Sequence, residues 1–163
     1  MTKTQRLQEL QAVETRFMAS EVTLGYIRKV AIKDCAKITT AKQAVELIRS
    51  FYNDDDYYRI EQFGLLCLNN GGRAVSFHMI SKGGINSTLA DIRVIAQTAL
   101  LCNASSVILC HNHPSGQMAA SNADKLLTDK VKKALDVLDI QVMDHVILCE
   151  DMGYYSFADE GLL

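Results

Sequence analysis

The apolar run Val107-Ile108-Leu109-Cys110 ends in His111-Asn112-His113 and is stopped by Pro114, the only proline in the chain. Length and flanks read 105–111 as a buried strand, and a proline, which cannot donate a ladder hydrogen bond, closes it. Side chains two apart on a strand share a face, so His111 and His113 are expected to project together from the strand's end. A Gly-containing loop, Pro114 to Ala120, leads to Ser121 and Asp124 at the start of the next helical pattern. Asp124 is near enough in sequence to swing back onto the histidines. Two imidazoles and one carboxylate leave a corner open for water, the layout of a zinc centre that does chemistry. Such a cation lowers the pKa of its water and polarises a carbonyl.

Plainer readings apply to the same residues. Two histidines in a loop can simply bond nearby backbone. Ser121-Asn122-Ala123-Asp124 also fits a helix-start capping pattern, with Ser121 as N-cap and an acid three residues on. Ser121 can serve both roles, whereas Asp124 is expected to choose between cap and metal. A hydrolytic centre also needs a general base. Glu61, at the mouth of a buried strand, is the candidate, although a lone strand-end carboxylate is more commonly a solvated charge.

At 163 residues, 48% hydrophobic and 22% charged, the chain suits one domain with one sizeable core. A net charge of −2 does not indicate nucleic-acid binding. The five cysteines form no Cys-x-x-Cys pair, so neither a zinc knuckle nor a disulfide framework is expected, and a reducing cytoplasm suits them. The polar stretch Thr2–Gln8 is not a signal peptide, and no apolar run approaches membrane-spanning length.

Residues 1–21 read as an N-terminal extension, with a helix expected over 5–18 from Leu7, Leu10, Val13 and Phe17. Residues 22–163 read as the main domain. Alternation predicts extended chain over 22–33, and helical spacing predicts a helix over 41–51, capped by Thr39 or Thr40. Asn53–Asp56 reads as a turn or loop. Residues 61–68 and 74–80, joined by Asn69-Asn70-Gly71-Gly72, read as a β-hairpin. Helices follow at 89–102 and 122–137, and strands at 105–111, 140–149 and 154–157. The hairpin among alternating helices and strands implies one α/β domain, a mixed sheet flanked by helices.

The pattern Glu61, His111-x-His113-Pro114, Ser121-x-x-Asp124 resembles the JAMM (MPN+) metalloprotease motif. Further stretches resemble the bacterial RadC family: Glu61-Gln62-Phe63 with Leu68-Asn69, Ser81-Lys82-Gly83-Gly84, His111 through Gly116, Asp144-His145-Val146-Ile147 and Tyr155 through Gly161. The likeness spans roughly 22–163. It implies a cytidine-deaminase-like (JAB1/MPN) α/β fold, with zinc on His111, His113 and Asp124. It implies Glu61 as water-activating base, Ser121 as a donor to the developing oxyanion, and hydrolysis of a peptide or isopeptide bond in a protein substrate. The chain departs from the JAMM pattern at Asn112, where Ser or Thr is usual, and from RadC relatives at Gln117 and Ala120. The first 20 residues lack the Gly-bearing hairpin of the DNA-binding module that many relatives carry upstream.

The leading expectation is therefore a zinc-dependent hydrolase, although the ligand types do not by themselves single out zinc among first-row metals. A nucleic-acid-processing or repair-associated factor and a zinc-stabilised module without turnover are the alternatives. His145 beside Asp144 is expected either to orient a ligand from behind or to be a buried histidine satisfied by backbone. Cys110 is expected to pack on the opposite face from His111, and Lys125, Lys130, Lys132 and Lys133 to form a solvated helix face.

Overall fold

The structure, a computed structural model, describes residues 23, 25–27, 29–52, 54–83 and 90–163. The expected helix over 5–18 lies outside them. Thr40 accepts the backbone N–H of Gln43 and so starts α1 (Ala41–Arg49), whose Ala44, Val45 and Ile48 recur at helical spacing and are buried. A short helix, α2 (Asp54–Tyr57), stands where a turn or loop is expected. In the 22–33 stretch the described residues form no strand and end in a 3-10 turn, Ile32–Asp34. The alternation there is not answered by strand pairing among the described residues: Tyr26 reaches the sheet through its side-chain hydroxyl, which donates to the Val75 carbonyl at 2.7 Å, and the first backbone bridge is Lys37 to Arg73.

The hairpin forms as expected from β1 (Gln62–Leu68) and β2 (Ala74–Lys82). At its turn the Asn69 side chain accepts the N–H groups of Gly71 and Arg73, and Gly72 takes the positive φ of 71° that glycine permits. Next come α3 (Ile92–Leu101), β3 (Ser106–Asn112), α4 (Asn122–Asp136), β4 (Gln141–Leu148) and β5 (Tyr154–Ser156). The sheet order is β2-β1-β3-β4-β5, with β3 and β4 parallel and the other neighbours antiparallel. Two one-residue irregularities in β2, at Val75 and Ile80, disturb this outer strand, a common way of blunting an edge against further pairing.

Strand alternation divides the core into two layers. Phe63, Leu65, Cys67, Val107, Leu109 and Val142 pack with Ile95 and Ala99 of α3 and Val131 and Leu135 of α4. Leu66, Leu68, Ile108, Cys110, Val146 and Leu148 pack on the other side with α1, Tyr52 and Tyr57. Cys110 thus faces away from His111, as its parity requires. Fully burying a leucine such as Leu65 or Leu109 contributes about 1.5–3 kcal/mol. The protein is a single α/β domain, a mixed five-stranded sheet with helices on both faces. Among the described residues no helix is long and apolar enough to cross a membrane.

One irregularity sets up the site. Val107 pairs with Val142 but Ile108 pairs with Asp144, so Met143 is an extra residue in β4. Three positions apart on a regular strand means opposite faces. The bulge instead leaves Val142 and His145 both on the α4 side.

Candidate metal centre

His111 is the next-to-last residue of β3, fully paired on both sides, opposite Phe63 of β1 and Ile147 of β4. The strand ends at Asn112, one residue earlier than the second histidine. His113 is nonetheless held in line, because its N–H donates to Leu148 O at 3.0 Å. Ser121 caps α4: its Oγ accepts the N–H of Asp124 at 3.1 Å, and Asp124 Oδ2 accepts the N–H of Ser121 at 2.7 Å.

Three ligand atoms converge. Among the described residues, His111, His113 and Asp124 offer donors that all lie within 4.8 Å of one another. His111 Nε2 is 3.0 Å from His113 Nε2 and 3.3 Å from Asp124 Oδ1, and His113 Nε2 is 3.8 Å from Asp124 Oδ2. Two donors about 2.0–2.1 Å from one tetrahedral ion are themselves roughly 3.3 Å apart, so this spacing suits a zinc-sized cation. Asp124 does not have to choose between roles. Oδ2 is taken by the cap and Oδ1 is turned to His111, so one carboxylate starts the helix and faces the cluster.

The donor chemistry fits as well. His113 Nδ1 lies 2.8 Å from the carbonyl of Gln117. A carbonyl only accepts, so Nδ1 carries a hydrogen, and Nε2 is the nitrogen turned toward His111 and Asp124. The loop residue noted for its departure from relatives therefore acts through its backbone. His111 is pushed down to about 4 by burial, against which the nearby Asp124 carboxylate pulls upward and His113 adds a further push down. Burial likewise holds His145 well below the ordinary imidazole range. Both rings are thus held neutral at pH 7, the form in which a nitrogen can bind a cation.

His145 sits directly behind His111, with Nε2 at 2.8 Å from His111 Nδ1 and Nδ1 at 2.7 Å from Thr128 Oγ1. Phe157 stacks on it at 4.7 Å and Phe63 meets it edge-on at 5.6 Å. The pairing with Asp144 is not observed. The Asp144 carboxylate is on the other face, taking the N–H groups of His145 and Ala158 and the hydroxyl of Ser156. Thr128 was not singled out by sequence. Its signal was a polar residue on the inward stripe 124, 128, 131, 135 of α4.

Glu61 stands outside the cluster of ligand atoms. It precedes β1 by one residue, and the Phe63–His111 register carries it to the level of His113 at the same end of the sheet. Asn112 clamps the backbone around it. The Asn112 amide donates to the carbonyls of Tyr57 and Ile60 at 2.6 and 2.9 Å and accepts the N–H of Gln62 at 2.7 Å. Asn112 entered the sequence reading only as a departure from a motif, and its role depends on contacts 50 or more residues away. Ser121 lies at the rim, but its hydroxyl donates to Asp124 Oδ2 at 2.6 Å and is committed to the cap.

A family profile described as a RadC-like JAB domain matches residues 38–162. Similar proteins include a UPF0758 protein of Flavobacterium johnsoniae, 41% identical over 126 residues, which are 77% of this chain and 53% of that one. A UPF0758 protein of Porphyromonas gingivalis is also 41% identical over 126 residues, covering 77% and 54%. The UPF0758 protein YeeS of Escherichia coli is 41% identical over 103 residues, covering 63% and 69%. The chain spans about half the length of the first two of these relatives. The match to most of its length shows that the chain belongs to the RadC-like JAB domain family.

Proposed function

We propose that this chain is a zinc-dependent hydrolase of the JAMM type, acting on a peptide or isopeptide bond of a protein or peptide substrate. The observation that carries the reading is the convergence of His111 Nε2, His113 Nε2 and Asp124 Oδ1, with Glu61 brought by register to the same end of the sheet. Zinc, when bound, acidifies a water and polarises the scissile carbonyl.

The chain's own residues do the rest. His111, His113 and Asp124 would hold the ion through one donor atom each. Glu61 takes the proton of the attacking water and passes it to the leaving amine, the task of a general base that becomes an acid. Phe63 and Phe157 line the buried side of the imidazoles and keep bulk water from behind them. Ser121 is the donor for the developing oxyanion, and to act so its hydroxyl must exchange Asp124 Oδ2 for the substrate oxygen.

Zinc-loaded protein is incubated with a fluorogenic peptide library, and metal content is measured in parallel. Hydrolysis is expected, abolished by a chelator and reduced at least a hundredfold in Glu61→Gln with zinc still bound. Unchanged turnover in Glu61→Gln overturns the base assignment. A wild-type chain that takes up no zinc overturns the centre itself.

A further inference from the structure

Three uncharged groups run from one end of the ligand cluster to the other. Thr128 Oγ1 is 2.6 Å from the backbone carbonyl of Asp124 and 2.7 Å from His145 Nδ1. The hydroxyl has one proton and two close partners. The carbonyl can only accept, so the proton goes there and the hydroxyl oxygen must accept from His145. His145 Nδ1 therefore carries a hydrogen. The ring is fully buried, against Phe63, Phe157, His111 and Thr128. It holds a single proton, and its Nε2 is a lone pair. That lone pair faces His111 Nδ1 at 2.8 Å, so His111 donates from Nδ1. The remaining nitrogen of His111, Nε2, is left bare beside His113 Nε2 and Asp124 Oδ1.

We propose that Thr128 and His145 are positioning residues that lock His111 with Nδ1 protonated and Nε2 unprotonated. The consequence for metal affinity rests on the zinc-centre reading above; the lock itself does not. Orienting partners behind a liganding histidine are commonly a carboxylate, a carbonyl or water. Here a hydroxyl and a second imidazole do it, in a place where another buried carboxylate would be expensive to desolvate. The path starts on the main chain of Asp124 and ends on the ring of His111, so it also ties the α4 start to the β3 end. Without the Thr128 oxygen, the His145 Nδ1–H has no acceptor. His145 is then freed to carry its proton on Nε2, which turns His111 over to the opposite tautomer and blocks the nitrogen aimed at the cluster.

Long-range 1H–15N spectra of the metal-free protein read both tautomers directly. Zinc affinity, by competition with a chromophoric chelator, reads the consequence. In the wild type, His145 and His111 are both expected as Nδ1–H forms. Thr128→Val, nearly the same shape, is expected to shift His111 toward the Nε2–H form and weaken zinc binding about 10–100-fold. Thr128→Ser, which keeps the oxygen, is expected to restore both readouts. His111 found as the Nε2–H form in the wild type overturns the proposal, even if Thr128→Val does not fold. So does a folded Thr128→Val with unchanged tautomers and zinc affinity. A wild type with the stated tautomers and no zinc uptake refutes the zinc centre while upholding the lock.

Discussion

Replacing Asn112 with alanine tests how the strand end is tied to the segment carrying Glu61. The amide makes three bonds, from Gln62 N–H and to the carbonyls of Tyr57 and Ile60. Asn112 and Gln62 are fully buried, and Tyr57 is nearly so. After Asn112→Ala, the Gln62 N–H and the Tyr57 carbonyl lose their partner away from water, at about 1–3 kcal/mol each. The Ile60 bond is only part-buried, so water replaces it at less than about 1 kcal/mol. The sum is a loss of roughly 2–7 kcal/mol, a large share of the 5–15 kcal/mol typical of a domain. Asn112→Asp should be no milder: it keeps the acceptor for Gln62 but sets a carboxylate oxygen against two carbonyls. Urea unfolding of the metal-free proteins measures this, with an unchanged m-value showing that only stability moved. On the hydrolase reading proposed above, the alanine variant should also lose turnover under native conditions while retaining zinc, because Ile60 and Gln62 flank Glu61. A destabilisation below about 1 kcal/mol would refute the reasoning, since the buried backbone groups would then have found other partners.

Gly64→Ala should destabilise by about 1–3 kcal/mol through overpacking, because a Cβ there would lie 2.6 Å from Phe77 Cζ and 2.9 Å from Cys110 Sγ. Phe77→Leu should lessen that penalty, and additivity of the two in a double-mutant cycle would count against the steric account. The metal-free chain should weaken in mild acid. With His111 depressed to about 4 from an ordinary 6.5, the unfolded chain binds the proton more readily. The contribution is therefore full above pH 6.5 and is lost as pH falls toward 4. It amounts to about 3 kcal/mol at most, by 1.36 kcal/mol per pKa unit. His145 is shifted in the same direction. Equal urea midpoints at pH 7.5 and pH 5 would contradict it.

Local pattern carried much of this far. Thr40 as cap, the 62–68 and 74–82 hairpin around Asn69–Gly72, and the β3–loop–α4 unit bearing His111, His113, Ser121 and Asp124 all rest on interactions close in sequence. What sequence did not reveal depends on distant pairing. The 22–33 stretch has the alternation of a strand, but β2 is bonded to the main chain of 36–38 only at the turn end. Asp54–Tyr57 is polar enough to read as loop, yet Tyr57 packs beneath it and holds the turn as a helix. Asn112 and His145 act through partners 57, 60, 62, 111 and 128, contacts that no periodicity encodes, whereas the bond from Thr128 to the Asp124 carbonyl follows the helical repeat.

The supernumerary Met143 has a consequence out of proportion to its half-exposed side chain. It is a phase shifter. Upstream of it β4 obeys the aliphatic layer through Val142, and downstream it serves the imidazoles through His145. Deleting this one methionine would leave every functional group in the chain, yet one half of the strand would be turned to the wrong side. At this end of the sheet, chemistry depends on how many residues are counted out as much as on which they are.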